Sequence, residues 1–395
     1  MNNLERSLNR GRFFVVTIIT YITLNLPDIA NGQKNTRIKE MNITRISAYP
    51  MNMALTKPYT IAFETTTAVE NVFLEIELGN GIIGIGAASP SKHVIGESIE
   101  DTLSNLQSEA LQQFTGRDIR EFRQLIFETA SMFPKHSATR TAIDIALHDA
   151  FGQFLGVPVV DFYGRKHHSL PTSVTIGIMN VEDTIAEATA FKAAGFTILK
   201  IKTGLNLEED MERCIKLREK FGQYFTIRVD ANQGYNSRET IEFARKTSML
   251  GLELIEQPMP VGHEAEMQQL PGDIRKIIAC DESLKDPISA LALVNPPATC
   301  GIFNIKLMKC GGLLGAFEIA TIAAAAKIDL FWGCFDESIA SITAALHAAF
   351  ACQNTRYIDL DGSLDLAEDL VSGGFILNKG NMSIGNAAGF GYKKI

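Results

Sequence analysis

In 226-TIRVDANQG-234 a short run of strand-forming residues ends on an acid, Asp230, and breaks at once into turn residues. The pattern returns in 252-LELIEQP-258 with Glu256 and in 276-KIIACDES-283 with Asp281. Working outward, strands are read at 172–178, 197–202, 226–231, 252–257, 276–282, 301–307, 329–334 and 356–361, with helical stretches between them, most clearly 312–326 and 338–352. Eight apolar strands alternating with helices predict a parallel barrel in an α/β fold, closed by the eighth strand. Upstream the order differs. Strands at 43–50, 72–78 and 82–88, the last two joined by the hairpin turn 79-GNG-81, precede helical patterns at 97–113, 118–131 and 138–155, which is an α+β unit. The expected organisation is an N-terminal extension 1–40, an α+β capping domain 41–164, a modified TIM barrel of (β/α)7β type at 165–362, and a Gly-rich C-terminal segment 363–395 that returns to the capping domain.

With 46% hydrophobic and 21% charged residues the composition is that of a soluble globular protein, and a net charge of −8 gives no support to binding through nucleic-acid phosphates. A small-molecule or peptide partner fits better. Six cysteines stand singly, without a CxxC pair, which speaks for reduced thiols and a cytoplasmic location. Residues 13-FFVVTIITYITLNL-26, behind Arg6, Arg10 and Arg12, have the basic-then-apolar order of an export signal, yet they are short for a membrane span and lack an A-x-A cleavage site. The folded protein is expected to begin near Met41, with 1–40 an extension or an overlong start; an exported protein is the alternative. No stable membrane association is expected, and a homo-oligomer is left open.

In a parallel barrel the strand C-termini form a shared mouth. Asp230, Glu256 and Asp281 come from three consecutive strands, about 4.8 Å apart, so their carboxylates would converge and repel. One such acid is often only a helix N-cap, but three in register call for a divalent cation, and all-oxygen ligation with open positions suits Mg²⁺. In 197-TILKIKTG-204, Lys200 and Lys202 share one strand face. Lys202 on the second strand and Lys306 on the sixth face each other across the mouth. Two bases on opposite sides of a metal-held substrate suit a 1,1-proton transfer, racemisation or epimerisation, with Lys200 holding negative charge on a substrate oxygen. Neighbouring ammonium groups and a cation would lower a lysine pKa towards usefulness as a base. Lys309 is read as structural or turned to solvent.

At this point the chain resembles the enolase superfamily in its muconate-lactonizing-enzyme subgroup, whose Lys-and-Mg²⁺ chemistry is a known pattern. The motifs that carry the resemblance are 200-KIK-202, 229-VDANQG-234, 255-IEQP-258, 280-CDES-283, 304-NIKLMKCGG-312 and the helix 138-ATRTAIDIALHDAFGQFLGVP-158. Within that subgroup 359-DLD-361 looks like the Asp-x-Asp of the dipeptide epimerases, which implies that Asp359 and Asp361 hold the α-ammonium of a dipeptide. The resemblance thus implies a Mg²⁺-dependent isomerase acting at the α-carbon of the C-terminal residue of an L-Ala-Xaa type dipeptide through an enediolate. Family members that epimerise Ala-Glu carry an arginine shortly after a Leu-Thr-Lys-Pro stretch; in 55-LTKPYTIAFE-64 Glu64 stands in its place. With the further acid Asp336 in 333-GCFDES-338, this favours a hydrophobic or cationic second residue over Glu. The alternatives are an o-succinylbenzoate synthase or N-acylamino acid racemase using the same lysines and ligands and, from a different class, a metal- or peptide-binding protein without catalysis.

Overall fold

β1 (Ile43–Ile61), β2 (Glu64–Leu78) and β3 (Ile83–Ala88) form an antiparallel sheet with β2 in the middle. The structure, a computed structural model, describes residues 40–61 and 64–395, without the side chains of 57–61 and 64–66. The extension read at 1–40, apart from its last residue, and the placing of the Glu64 side chain therefore lie outside the described residues. β1 and β2 run much further than the sequence suggested. β1 runs through Pro50 and Pro58 because it is an edge strand, where a missing N–H costs little. The β-branched 65-TTTAV-69 of β2 supplies its partner: Pro50 lies opposite Val72, and the register slips between Ala54 and Tyr59.

The helical pattern at 97–113 is split, because α1 (Ile99–Leu106) ends and a single turn, Glu109–Gln112, restarts where the Ser108 hydroxyl accepts from Leu111 N. After α2 (Phe122–Met132) comes α3 (Ser137–Leu155), which is buried along most of its length. Its Ala142, Ile143, Ala146 and Leu147 pack into the core of the cap, while Ile145 joins the barrel core. A helix with two cores to satisfy is apolar nearly all round. Its close approach to β3 requires Gly86, where a Cβ would stand 1.9 Å from Ala142 O.

After β4 (Ser169–Pro171) eight parallel strands lie side by side in chain order: β5 (Val174–Ile176), β6 (Ile198–Lys202), β7 (Thr226–Asp230), β8 (Leu254–Glu256), β9 (Ile278–Cys280), β10 (Ile302–Ile305), β11 (Asp329–Trp332) and β12 (Thr355–Ile358). A parallel bridge between Thr172 and Ile358 joins the last strand to the first and closes the ring. Helices α4 (Val181–Ala193), α5 (Leu207–Phe221) and α6 (Ser237–Lys246) follow the first three strands, two four-residue helices follow β8, and α7 (Pro287–Leu293), α8 (Leu313–Ala326) and α9 (Ile339–Ala351) follow the next three. Among the described residues no helix follows β12, as the (β/α)7β pattern requires.

Inside the barrel Leu254, Ala279, Ile302 and Phe331 make a small apolar cluster, and Arg228 spans the interior beside it. Its Nε donates to Glu253 (2.7 Å) and its Nη1 to Ile358 O (2.7 Å) and Ser173 Oγ (3.1 Å), tying β7 to the closing seam. Beyond β12, β13 (Val371–Gly373) pairs with β16 (Tyr392–Lys394), and β14 (Phe375–Asn378) with β15 (Asn381–Ile384), which also pairs with β4. The chain end is stitched to the cap. Asp149 of α3 accepts from Phe390 N (2.9 Å), Ile85 N (3.1 Å) and Gln153 Nε2 (2.9 Å), Tyr392 OH donates to Ile85 O, and Lys394 pairs with Glu75. Burial pushes the Asp149 carboxyl up to about 7. Residues Met41–Ile395 make one compact unit, and among the described residues no helix is long and apolar enough to cross a membrane.

Candidate active site

Three of the residues singled out from the sequence stand in one row: in the ladder Lys202 is opposite Asp230, and Asp230 opposite Glu256. Glu256 pairs in turn with Ala279, so Asp281, two residues on, points to the same face. Lys306 follows β10, sixth in the ring where Lys202 is on the second strand, which puts the two lysines on opposite walls. The loops leaving this row turn sharply. Asn232 and Gln233 have φ of 42° and 71°, and Gly234 lies so close to Gly204 that a Cβ would meet its carbonyl oxygen at 2.2 Å.

Gln257, at φ 31°, links the next two loops. Its Oε1 accepts from Asp281 N (2.9 Å) and Ser283 N (3.2 Å), while Nε2 donates to Met259 O and Ser283 Oγ. It thereby holds Asp281 in place, a role that only its position directly after Glu256 could have hinted at.

Buried Lys200 sits among three carboxylates, with Nζ 2.8 Å from Asp359, 2.9 Å from Glu256 and 3.2 Å from Asp230. Lys202, 30% exposed at its side chain, donates to Asp230 (2.7 Å) and Asn232 Oδ1 (3.0 Å). Lys306 pairs with Asp281 at 2.8 Å under the ring of Phe335, 5.1 Å from its centroid. Lys309 is buried and not turned to solvent: Nζ donates to Asp281 O (2.6 Å), to Asn304 O (3.2 Å) and to the Asp281 carboxylate. Burial opposes the charge on Lys200 and Lys306, but Asp359, Glu256 and Asp230 around the first, and Asp281 beside the second, outweigh it and raise both pKa values. Each ammonium has more acid than base around it, while the neighbouring Lys200 works to lower Lys306.

Glu256 is the opposite case. Its burial, with Asp230 adding, pushes it up to about 8. Oε1 accepts from Asn304 Nδ2 (2.8 Å), but Oε2 is closed off from solvent and makes no hydrogen bond, although Lys200 Nζ is 2.9 Å away. Glu282 buries a second such oxygen.

The two acids of 359-DLD-361 part company. Asp359 is committed inward, to Lys200 and to Ser173 Oγ (2.5 Å), whereas Asp361 stands further out and accepts from Thr175 N (2.9 Å). Burial and the neighbouring Asp359 push Asp361 up to about 7. Asp336 lies on the loop after β11 beside Phe335, on the Lys306 side of the mouth, and its carbonyl oxygen accepts from Ser89 Oγ of the cap (2.9 Å).

Asp230, Glu256 and Asp281 fit a hard divalent cation by chemistry, three carboxylates with a buried Glu256 oxygen that no hydrogen bond satisfies. Among the described residues no three such groups converge as a ligand set as they stand; Asp230 and Asp281 are drawn to Lys202, Lys306 and Lys309.

A capped (β/α)7β barrel whose strand-end acids lie between opposed lysines places the protein in the enolase superfamily. The "Mandelate racemase / muconate lactonizing enzyme, N-terminal domain" family matches residues 44–164, and "Enolase C-terminal domain-like" matches 183–393. The chain is 51% identical over 355 residues (90% of this chain, 100% of the other) to the L-Lys-D/L-Arg epimerase of Desulforapulum autotrophicum. Among solved structures it is similar to the dipeptide epimerase from Methylococcus capsulatus complexed with Mg and the dipeptide L-Arg-D-Lys (TM-score 0.87, 49% identity, 89% of this chain and 99% of that one). It is also similar to a substrate-liganded L-Ala-D/L-Glu epimerase from Bacillus subtilis (TM-score 0.85, 28% identity, 90% and 99%). The chain belongs to the dipeptide epimerase family of isomerases within the mandelate racemase and muconate lactonizing enzyme group.

Proposed function

We propose that the protein is a Mg²⁺-dependent epimerase of dipeptides with cationic side chains, of the L-Lys-L-Arg kind, acting at the α-carbon of the second residue. The observation that carries the chemistry is the row Lys202, Asp230, Glu256, continued on the next strand by Asp281, with Lys306 across the ring from Lys202. The cationic preference is supported by the names of the relatives at 51% and 49% identity, both L-Lys-D/L-Arg epimerases, and by the acids Asp336 and Asp361 around the mouth. It puts a cationic residue first in the dipeptide, where the sequence reading had alanine. The cytoplasmic placement is supported by six cysteines that all stand as free thiols.

Asp230, Glu256 and Asp281 would hold Mg²⁺, which supplies a Lewis acid for the substrate's terminal carboxylate. Lys200, fixed by three carboxylates, meets the negative charge that grows on that carboxylate as the α-proton leaves. Lys202 and Lys306 stand on opposite sides of the α-carbon, one removing the proton and the other returning one to the far face. Asp361, with an outer oxygen to spare, receives the α-ammonium of the first residue, and Asp359 behind it keeps Lys200 in place. An ammonium bound there also offsets the burial and the neighbouring Asp359 charge that raise Asp361.

The test is incubation of L-Lys-L-Arg with enzyme and Mg²⁺ in D₂O, with L-Ala-L-Glu and N-succinyl-L-Arg alongside. The expected result is α-deuterium in the arginine and formation of L-Lys-D-Arg, with Lys306→Ala unable to epimerise in either direction. Exchange of the succinylated amino acid but not of the dipeptide would establish the acylamino acid racemase alternative instead.

A further inference from the structure

We infer that Asp144, on the capping helix α3, is a positioning residue for Lys306, an inference that rests on the two-lysine reading above. Lys306 heads the segment 306-KLMKCGGLL-314, which runs into α8. The far end of that segment is held by Asp144, whose Oδ1 accepts from Leu313 N (2.9 Å) and Oδ2 from Leu314 N (3.2 Å). Contact this close needs Gly312, at φ 101°, where a Cβ would stand 2.4 Å from the Asp144 Cβ. One helical turn earlier on α3, Thr141 Oγ1 lies 2.8 Å from Leu307 O, the residue next to Lys306. Between the two holds, Met308 is packed in the core of the cap and not in that of the barrel.

Asp144 is fixed in its turn. His148 Nδ1 is 2.8 Å from Asp144 O and 3.0 Å from Asp144 Oδ1, so Nδ1 faces two acceptors and carries the hydrogen. Nε2 is then the acceptor for Tyr163 OH at 2.6 Å. Asp144 and His148 are wholly buried, and the His148 ring lies edge-on to Phe122. Lys202 is held differently, by Asp230 and Asn232 of the barrel. Among the described residues the two proton-transfer groups therefore have different supports, the barrel for Lys202 and the barrel with the cap for Lys306. Loosening the hold from the cap displaces one lysine and spares the other.

The experiment follows α-proton exchange in D₂O with Mg²⁺ separately from L-Lys-L-Arg and L-Lys-D-Arg. Lys202→Ala and Lys306→Ala assign one substrate to each lysine. Asp144→Asn is then expected to slow exchange of the Lys306 substrate about 10- to 100-fold in kcat, with KM and the Lys202 substrate within about twofold. Thr141→Val, which keeps shape and removes the hydroxyl, is expected to slow the same substrate about threefold or more. An equal loss for both substrates in both variants overturns the inference, because general destabilisation does not choose a face. If the two lysine variants themselves show no face selectivity, the two-lysine reading falls and takes this inference with it; selectivity there and none at Asp144 overturns this inference alone.

Discussion

Asp149→Asn changes one fully buried carboxyl into its neutral isostere, and its effect should reverse with pH. In the folded protein Asp149 titrates at about 7 against an ordinary 3.8, because burial disfavours its charge. A carboxyl whose folded pKa is raised contributes its full stability below the unfolded value and loses it as pH rises through the folded one. By linkage the loss is roughly 4 kcal/mol by pH 8 and between 1 and 2 kcal/mol, roughly, at pH 5. Asparagine does not titrate and is spared this loss. It does, however, offer one acceptor oxygen where Phe390 N approaches Oδ1, and Ile85 N and Gln153 Nε2 approach Oδ2. One backbone N–H is left facing an amide, at a cost of about 1–3 kcal/mol at any pH. The variant should thus be level with the parent or less stable at pH 5 and the more stable protein at pH 8. With an unfolding entropy of about 2.1 cal/mol/K per residue over roughly 350 residues, each kcal/mol is worth a little over 1 °C. The difference in Tm between variant and parent should therefore swing by about 3 °C between the two pH values, read by differential scanning at one scan rate. A difference that is the same at both pH values would refute the assignment of a raised carboxyl at Asp149.

Two further outcomes can be checked on the same instrument. Burial holds His347 down to about 3, with Nδ1 accepting from Val160 N (3.1 Å). Its contribution is complete above the ordinary 6.5 and is lost as pH falls from there towards 3, roughly 2 kcal/mol by pH 5. His347→Gln, which keeps an acceptor for Val160 N, should flatten the acid side of the stability profile, and an unchanged acid slope would count against this. Gly86→Ala would drive a methyl to 1.9 Å from Ala142 O. It should cost about 3 kcal/mol or more, since backbone on both sides must move, and a Tm within 1 °C of the parent would show that α3 slides freely on the sheet.

The barrel was legible because each of its strands is a short apolar run, and those of the site end on a charge, a pattern that survives without knowledge of neighbours. The acids Asp230, Glu256 and Asp281 and the lysines 200, 202 and 306 were legible for the same reason. What escaped depends on partners far away in the chain. Arg228 reads as an ordinary charge in a strand until β12 closes beside it and gives it Ile358 O. Gln257 and Asn304 acquire their roles only through Asp281 and Glu256, and Lys309 is buried because Asp281 turns its carbonyl and carboxylate towards it. The length of β1 was hidden by two prolines that an edge strand tolerates. The split between Asp359 and Asp361 could not be seen either, since period two places both on one face and says nothing of depth.

The stitching of the chain end to the cap bears on how the protein is made. The sheet β1 to β3 is made about 300 residues before the partners it needs, since Ile85 and Glu75 contact Tyr392 and Lys394, and Asp149 contacts Phe390. At about 5–20 residues per second the interval is roughly 15–60 s. For that time the nascent cap holds a long edge strand and an all-round apolar α3 with neither the barrel nor the tail against them, which makes this the stage of the protein's life at which an unfinished chain is most open to capture by another chain or by a chaperone.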